Sequence, residues 1–142
     1  GISRSIIALE NLKKQAGSVK RGNGSLMDEP TFKLKIAELE ADLLAVEYTE
    51  LRSLASAASG NEPGPESSIL KLKGTEIQQR LQRLTMEAGG IYSSAWGMSN
   101  VGPSFARSAM SGYLSSRAFT IYGGASEVQK DVVAKNVLGL KK

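Results

Sequence analysis

Apolar residues recur along this chain at intervals of three and four positions, the spacing that places them on one face of a helix. Residues 2–19 form the first such segment, with Lys and Glu between the apolar positions. The pattern returns over residues 30–58, 66–88, 103–119 and 126–138. Each of these segments is therefore predicted to be an amphipathic helix.

Glycine and proline clusters separate the segments. They lie at residues 22–24, 59–65 and 89–90, where they end a helix or form a loop. No alternation of apolar and polar residues persists beyond a few positions, so we expect no sheet. The sequence thus predicts a single all-α domain over residues 1–142. Its architecture is an antiparallel up-and-down helical bundle of four long helices plus a shorter C-terminal helix.

The longest segment carries two apolar stripes, so we expect this helix to contact neighbours on two sides. The first stripe consists of Ile36, Leu39, Leu43 and Val46. The second consists of Ala37, Ala41, Leu44, Tyr48, Leu51 and Ala55. The same segment holds the carboxylates Glu38, Glu40, Asp42 and Glu50. We interpret these carboxylates as a solvated outer face rather than as a catalytic pair.

Two positions predict local features of the second and third helices. Asp28 precedes Pro30, an arrangement that predicts a helix cap followed by a first-turn proline. Gly74 interrupts the third segment and costs about 1 kcal/mol of helix propensity relative to alanine. A close crossing with another helix would explain this glycine.

The composition excludes several classes of protein. The chain has neither cysteine nor histidine, which argues against disulfides, zinc sites and Ser–His or Cys–His hydrolases. The net charge of +4 is modest and the aromatic residues are scattered, so we expect no nucleic-acid partner. No apolar run reaches membrane-spanning length. We expect a soluble intracellular protein, cytoplasmic or in the mitochondrial matrix, and a fragment of a longer chain because no initiator Met is present.

Residues 120–140 predict a glycine-broken turn that leads directly into the last helix. Ser126 stands at the predicted N-cap, and Gln129 completes a capping box. Gly123 and Gly124 precede it and allow positive φ or close approach of another molecule. The helix is expected to direct four valines inward: Val128, Val132, Val133 and Val137. The N–H groups at its start suit a polar or anionic ligand, although the local sequence by itself favours a plain sharp turn of the chain.

This stretch closely resembles the carboxyl-terminal signature of acyl-CoA dehydrogenases. The resemblance lies in residues 121–130 and 134–140. Further similarity to the C-terminal helical domain of that family lies in residues 39–44, 47–49, 64–76 and 87–90. It therefore extends over nearly the whole chain, and the closing motif is its most specific part.

The resemblance implies a domain of an FAD-dependent flavoprotein that oxidises acyl-CoA to 2,3-enoyl-CoA. In that family a carboxylate removes the α-proton, the β-hydrogen leaves as hydride to the flavin, and electrons pass to an electron-transfer flavoprotein-type acceptor. The parent would add an α-helical N-terminal domain and a middle β domain to this bundle. The implied partners are acyl-CoA and other subunits of a homo- or hetero-oligomer, without nucleic acid or a membrane span.

The resemblance also assigns site residues. The expected FAD contacts are Gly89, Gly90, Ala125, Ser126 and Glu127, and the expected substrate contacts are Tyr122, Gly123 and Gly124. One branch of the family places its catalytic glutamate after the motif's tyrosine, where this chain has Gly123. Another branch places it within a Glu-Arg sequence that would fall before Gly1. We therefore predict no catalytic residue within the chain.

Several positions depart from the family pattern. Ala125 replaces a frequent threonine, Glu127 replaces a glutamine, and Met86 replaces the glutamine before the glycine pair. An Arg-x-x-Phe-Gly element that grips a neighbouring subunit's flavin has no match; residues 22–29 occupy its region. A catalytically silent helical partner subunit or oligomerisation module therefore remains an alternative. An unrelated four-helix bundle with a chance glycine turn is a third.

Overall fold

The computed structural model describes residues 2–61, 64–95 and 101–140, so part of the loop predicted at residues 59–65 lies outside the described residues. Its α-helices are α1 (Ile2–Ser18), α2 (Pro30–Ala58), α3 (Glu66–Gly89), α4 (Ala109–Ser116) and α5 (Ser126–Asn136). Short 3-10 segments lie at Leu26–Asp28, Gly90–Ser94, Ser104–Ser108 and Arg117–Thr120. The predicted all-α bundle is confirmed.

Helix α3 is the central element, because α1, α2, α4 and α5 all pack against it. Ion pairs show its direction relative to α2. Lys35 Nζ lies 2.6 Å from Glu87 Oε1, and Arg80 contacts Asp42. Moving along α2 from the first pair to the second means moving backwards along α3, so the two helices are antiparallel.

The core lies where α1, α2 and α3 meet. Its large fully buried side chains include Leu12, Phe32, Leu39 and Ile77. The first predicted stripe of α2 is buried in full, at Ile36, Leu39, Leu43 and Val46. The apolar spacing of the sequence therefore identified the core face of the longest helix correctly.

The second stripe of α2 has no neighbour within the described chain. All its members are exposed, and Leu44, Tyr48 and Leu51 expose 52%, 62% and 55% of their surface. Within residues 2–61, 64–95 and 101–140, α2 therefore buries its first stripe only.

Three of the four predicted carboxylates of α2, Glu38, Glu40 and Asp42, form ion pairs with other helices. Arg80 of α3 contacts Asp42 and lies 3.7 Å from Glu38, while Lys13 of α1 contacts Glu40. Hydrogen bonds to Glu40 and then to Glu10 raise the pKa of Lys13. These charges flank the core face, so they orient the helices rather than form a catalytic pair.

The fourth predicted helix is broken. In place of one long helix, α4 has 3-10 segments on both sides. Ser116 Oγ donates to the carbonyl of Tyr113 at 2.7 Å, and Thr120 Oγ1 donates to that of Arg117 at 2.9 Å. Such local hydroxyl bonds compete with the regular helical pattern.

The expectation of no strands is wrong at one place. Lys20–Arg21 and Gly24–Ser25 form an antiparallel pair around Gly22, whose φ is +53°. Each strand is too short for an alternating pattern to show in the sequence. This hairpin overlaps residues 22–29, where the arginine element implied by the resemblance has no match.

Asp28 does not cap α2. Its carboxylate accepts hydrogen bonds from the Ser25 backbone N–H and hydroxyl, each at 2.8 Å, and these lower its pKa. Glu29 occupies the cap position without a side-chain bond, and Pro30 opens the helix as predicted. Asp28 therefore stabilises the turn that follows the hairpin, and it does not cap α2.

Candidate functional site

The turn before α5 has the backbone that its glycines predicted. Gly123 has a φ of +66° and Gly124 a φ of +94°, values that L-residues rarely adopt. A β-carbon at Gly124 would collide with Nε2 of Gln129, whereas Gly123 has open space around it. Gly123 is thus the open point of the turn.

The predicted capping box at Ser126 is wrong. Ala125 is the N-cap residue, Ser126 is already helical, and no side chain caps the helix. Gln129 donates its backbone N–H to the Ala125 carbonyl at 3.0 Å. A capping side chain belongs to the N-cap residue, whose backbone is extended. Here that residue is Ala125, so the Ser126 hydroxyl, one position further along the chain, does not cap the helix. The first-turn N–H groups therefore stay available to another molecule, with Glu127 exposed beside them.

The valines of α5 are not directed inward as predicted. This helix has no buried residue, and Val128 and Val137 expose 56% and 48% of their surface. Val132 and Val133 are half-buried. Its main packing partner, α3, covers too little of α5 to bury the whole valine face.

Side chains of α3 hold the turn in place. Lys71 Nζ donates to the carbonyl of Phe119 at 2.8 Å, and Thr75 Oγ1 approaches the same oxygen at 3.4 Å. One turn further along, Gln79 Nε2 donates to the carbonyl of Ser116 at 3.0 Å. The Phe119 ring meets Tyr122 edge-on at 5.6 Å. The chain entering the glycine turn is therefore anchored at its carbonyl groups.

Sequence reasoning did not identify this anchor. Its members recur at every fourth position of α3, as Lys71, Thr75 and Gln79. Polar residues at this spacing form one stripe on a helix. A polar stripe beside an apolar face was the signal that could have revealed it.

The two glycines predicted at the end of α3 have different surroundings. Gly89 is buried, and a β-carbon there would collide with Ser93 Oγ and approach the Ala106 β-carbon to 2.9 Å. Gly90 is exposed with a φ of +55°, and no heavy atom lies within 4 Å of a β-carbon placed on it. Gly89 therefore permits close packing, and Gly90 is the residue that another molecule can approach.

The two groups of predicted FAD contacts adjoin different parts of α3. The segment that leads into the α5 group contacts α3 at Thr75 through Phe119, whereas Gly89 is the last residue of α3 and Gly90 follows it. Thr75 and Gly89 are about 21 Å apart along the helix at 1.5 Å per residue.

The start of α1 lies beside the part of α3 that contacts Phe119. Gln78 Nε2 donates to Ser5 Oγ at 2.6 Å, one helical turn from the contact between Thr75 and Phe119. Ser5 is buried near the beginning of α1. The start of α1 and the segment that enters the glycine turn therefore contact neighbouring residues of α3.

The large open cleft lies elsewhere. It has a volume of about 930 Å³ and lies between the end of α2 and the start of α3, next to Ser53, Ala57 and Leu70. None of the predicted site residues lines it. The described ranges contain no acidic cluster suited to a metal ion, and no helix in them is long and apolar enough to cross a membrane.

Residues 3–138 match the family model described as the acyl-CoA dehydrogenase, C-terminal domain. The chain belongs to this family. The match includes the glycine turn, the uncapped start of α5 and the glycine pair of α3. Among curated proteins, a sequence search found no match.

Solved structures share the fold. The ChsE4–ChsE5 complex from Mycobacterium tuberculosis matches with a TM-score of 0.79 at 23% identity over 100% of this chain. An FAD complex of PigA matches with 0.78, and a glutaryl-coenzyme A dehydrogenase–glutaryl-CoA complex with 0.76, each at 16% identity over 99% of this chain. This acyl-CoA dehydrogenase domain spans 36%, 34% and 34% of those chains, about a third of their length.

Proposed function

We propose that this domain is part of an FAD-dependent acyl-CoA dehydrogenase that oxidises acyl-CoA to 2,3-enoyl-CoA. The observation that carries the proposal is the anchored glycine turn, which opens onto an uncapped helix start in a chain of this family. Bound FAD supplies the oxidant that accepts the β-hydrogen as hydride. Electrons then pass to an acceptor of the electron-transfer flavoprotein type.

The turn shapes the edge of the site in this proposal. Tyr122, Gly123 and Gly124 line the thioester, and the absence of a β-carbon at Gly123 lets the substrate approach the backbone. The first-turn N–H groups of α5, at Ser126 and Glu127, donate to polar atoms of the cofactor because the helix dipole favours electron-rich groups there. Gly90 contacts the distant end of an FAD molecule.

The chain's own turn does not supply the base in this proposal. Gly123 has no side chain to remove a proton, so the carboxylate has to come from another element. We place it beside the start of α1, because Ser5 and Phe119, which precedes the glycine turn, contact neighbouring residues of α3. Burial there would raise the pKa of a carboxylate toward neutrality and suit it to removing the acidified α-proton.

A pair of substitutions at Ser126 tests the cofactor contact in the full-length parent protein. Ser126→Pro removes one N–H at the first helical position, where proline is tolerated, and the extended Ala125 suits a following proline. We expect FAD to bind about 2- to 10-fold more weakly, the effect of one lost hydrogen bond. Ser126→Ala keeps the N–H and is the matched control. Equal FAD affinity in both variants would show that the Ser126 backbone N–H does not contact FAD.

Flavin absorbance and acyl-CoA-dependent dye reduction test the activity itself. The purified parent should carry flavin and reduce the dye only when acyl-CoA is present. A parent that binds no flavin, alone or with a partner subunit, would refute the dehydrogenase function.

A catalytically silent partner subunit is the second candidate. It is favoured by the glycine at the base position and by Ala125, which lacks the hydroxyl frequent in the family. In that case the domain serves as an oligomerisation module. The parent would then show no dye reduction by itself and would raise the activity or flavin content of its partner on mixing.

A further inference from the structure

Helix α3 has a polar face in addition to its apolar core face. The core face includes the buried Ile77, Leu81 and Leu84, and the polar face consists of Lys71, Thr75, Gln78 and Gln79. At about 100° per residue, the four polar residues lie within about 100° of one another around the helix. Thr75 is buried and the other three are half-buried. Other parts of the chain therefore cover the polar face.

Long side chains of the polar face donate hydrogen bonds to two different parts of the chain. Lys71 and Gln79 donate to carbonyl groups of the segment that leads to the glycine turn, at 2.8 and 3.0 Å. Gln78 Nε2 donates to Ser5 Oγ, near the beginning of α1, at 2.6 Å. One face of α3 therefore holds both the start of α1 and the segment before the glycine turn.

The bond between Gln78 and Ser5 fixes the position of α1 along α3. Ser5 lies on the buried side of α1 with Leu9 and Leu12, and it exposes only 4% of its surface. Contacts between leucines tolerate small shifts of one helix along the other, because the hydrophobic effect is non-directional. A hydrogen bond, in contrast, requires both a short distance and a favourable angle. Gln78 therefore supplies a directional contact where apolar packing alone supplies none.

We propose that Gln78 is a positioning residue for the oxidation of acyl-CoA. Through Ser5 it fixes the start of α1, and with it the carboxylate that we place there, relative to the glycine turn that Lys71 holds. Gln78 and Lys71 are about 10 Å apart along α3 and about 20° apart around it. The helix itself therefore sets the spacing between the proton-accepting side and the thioester side of the site. This inference rests on the proposed function and adds to it the residue that aligns the base.

Such a residue acts on the chemical step rather than on substrate binding. A base must lie within hydrogen-bond reach of the α-proton that it removes, and a displacement of about 1 Å can cost about 100-fold in rate. The glycine turn, which lines the thioester, keeps its own bonds to α3 when the bond to Ser5 is lost. Loss of the Gln78 bond should therefore lower kcat and leave KM nearly unchanged.

Substitution of Gln78 in the full-length parent protein tests this role by acyl-CoA-dependent dye reduction. Gln78→Leu keeps the approximate size of the side chain and removes the donor. We expect kcat to fall about 10- to 100-fold, with KM and the bound FAD content close to those of wild type. Gln15→Leu makes the same change at the far end of α1 and is the matched control. Equal kcat in wild type and Gln78→Leu, or an equal loss in Gln15→Leu, overturns the inference.

Ser5→Ala removes the same hydrogen bond from its other partner. It should lower kcat about as much as Gln78→Leu does. The double variant should lose no more than the stronger single variant, because both changes remove one interaction. Losses in kcat that multiply in the double variant would show that Gln78 does not act through Ser5.

Amide hydrogen exchange provides a readout that does not require turnover. In Gln78→Leu, exchange should become faster across residues 6–10 of α1 and stay unchanged across residues 120–125. Unchanged exchange in α1, or faster exchange throughout the chain, overturns the positioning role. An inactive wild type refutes the proposed function itself, whereas an active wild type with an equally active Gln78→Leu refutes this inference alone.

Discussion

Lys71 Nζ donates a hydrogen bond to the carbonyl oxygen of Phe119 over 2.8 Å, across a gap of nearly fifty residues in sequence. This bond ties the chain entering the glycine turn to the central helix. Phe119 in turn packs against Tyr122. The geometry of the candidate thioester edge therefore depends on a side chain that lies outside the closing motif of residues 121–140.

Removing this anchor should loosen the turn. We expect Lys71→Met to lower the free energy of unfolding by about 1–2 kcal/mol, since a half-buried bond from a charged group is lost. Amide hydrogen exchange should become faster across residues 120–125 and unchanged in α1. Lys73→Met is the control, because its exposed pair with Glu76 contributes only about 0.3–0.5 kcal/mol. Similar losses in both variants would show that Lys71 is not an anchor.

Replacing either glycine of the turn by alanine should destabilise the protein. Gly124→Ala must adopt a φ of +94° and displace the Gln129 side chain, so we expect a loss of about 1–3 kcal/mol in chemical denaturation. Gly123→Ala meets only the backbone strain and should lose about 1–2 kcal/mol. If Gly124→Ala is no worse than Gly123→Ala, the contact with Gln129 does not define the turn.

Two glycines of α3 should respond to the same substitution with opposite signs. Gly74 has helical backbone, and no heavy atom lies within 4 Å of the point where a β-carbon would stand, so the expected close helix crossing is absent. Gly74→Ala should therefore stabilise the protein by about 1 kcal/mol. Gly89→Ala forces a β-carbon against Ser93 and Ala106 and should destabilise it by about 1–3 kcal/mol. Thermal and chemical denaturation of the two variants would measure both changes in stability. A change of the same sign in both variants would contradict this packing.

The turn after the hairpin should be sensitive to acid. The Ser25 backbone N–H, and then its hydroxyl, lower the pKa of Asp28 in the folded state. A group with a depressed folded pKa contributes stability above its unfolded pKa, near pH 4, and loses it as the pH falls through the folded value. NMR titration should place the Asp28 midpoint below that of a free aspartate. In Ser25→Ala the midpoint should rise, and an unchanged midpoint would exclude the hydroxyl as a cause.

The amino-acid sequence by itself determined the bundle, the core face of α2 and the family. The alternation of apolar residues at three and four positions places Ile36, Leu39 and Leu43 on one side wherever the helix forms. Glycines at positions 123 and 124 likewise predicted positive φ, because few other residues tolerate it. Such features depend on local spacing and backbone sterics, which a linear sequence carries in full.

Tertiary structure alone decided which surfaces meet. Only packing shows that Gly89 rather than Gly74 permits a close approach, that Lys71 anchors the glycine turn, and that the second stripe of α2 stays uncovered within the described chain. The physical reason is that helical period specifies which residues share a face, whereas the neighbour of that face depends on contacts between residues far apart in sequence.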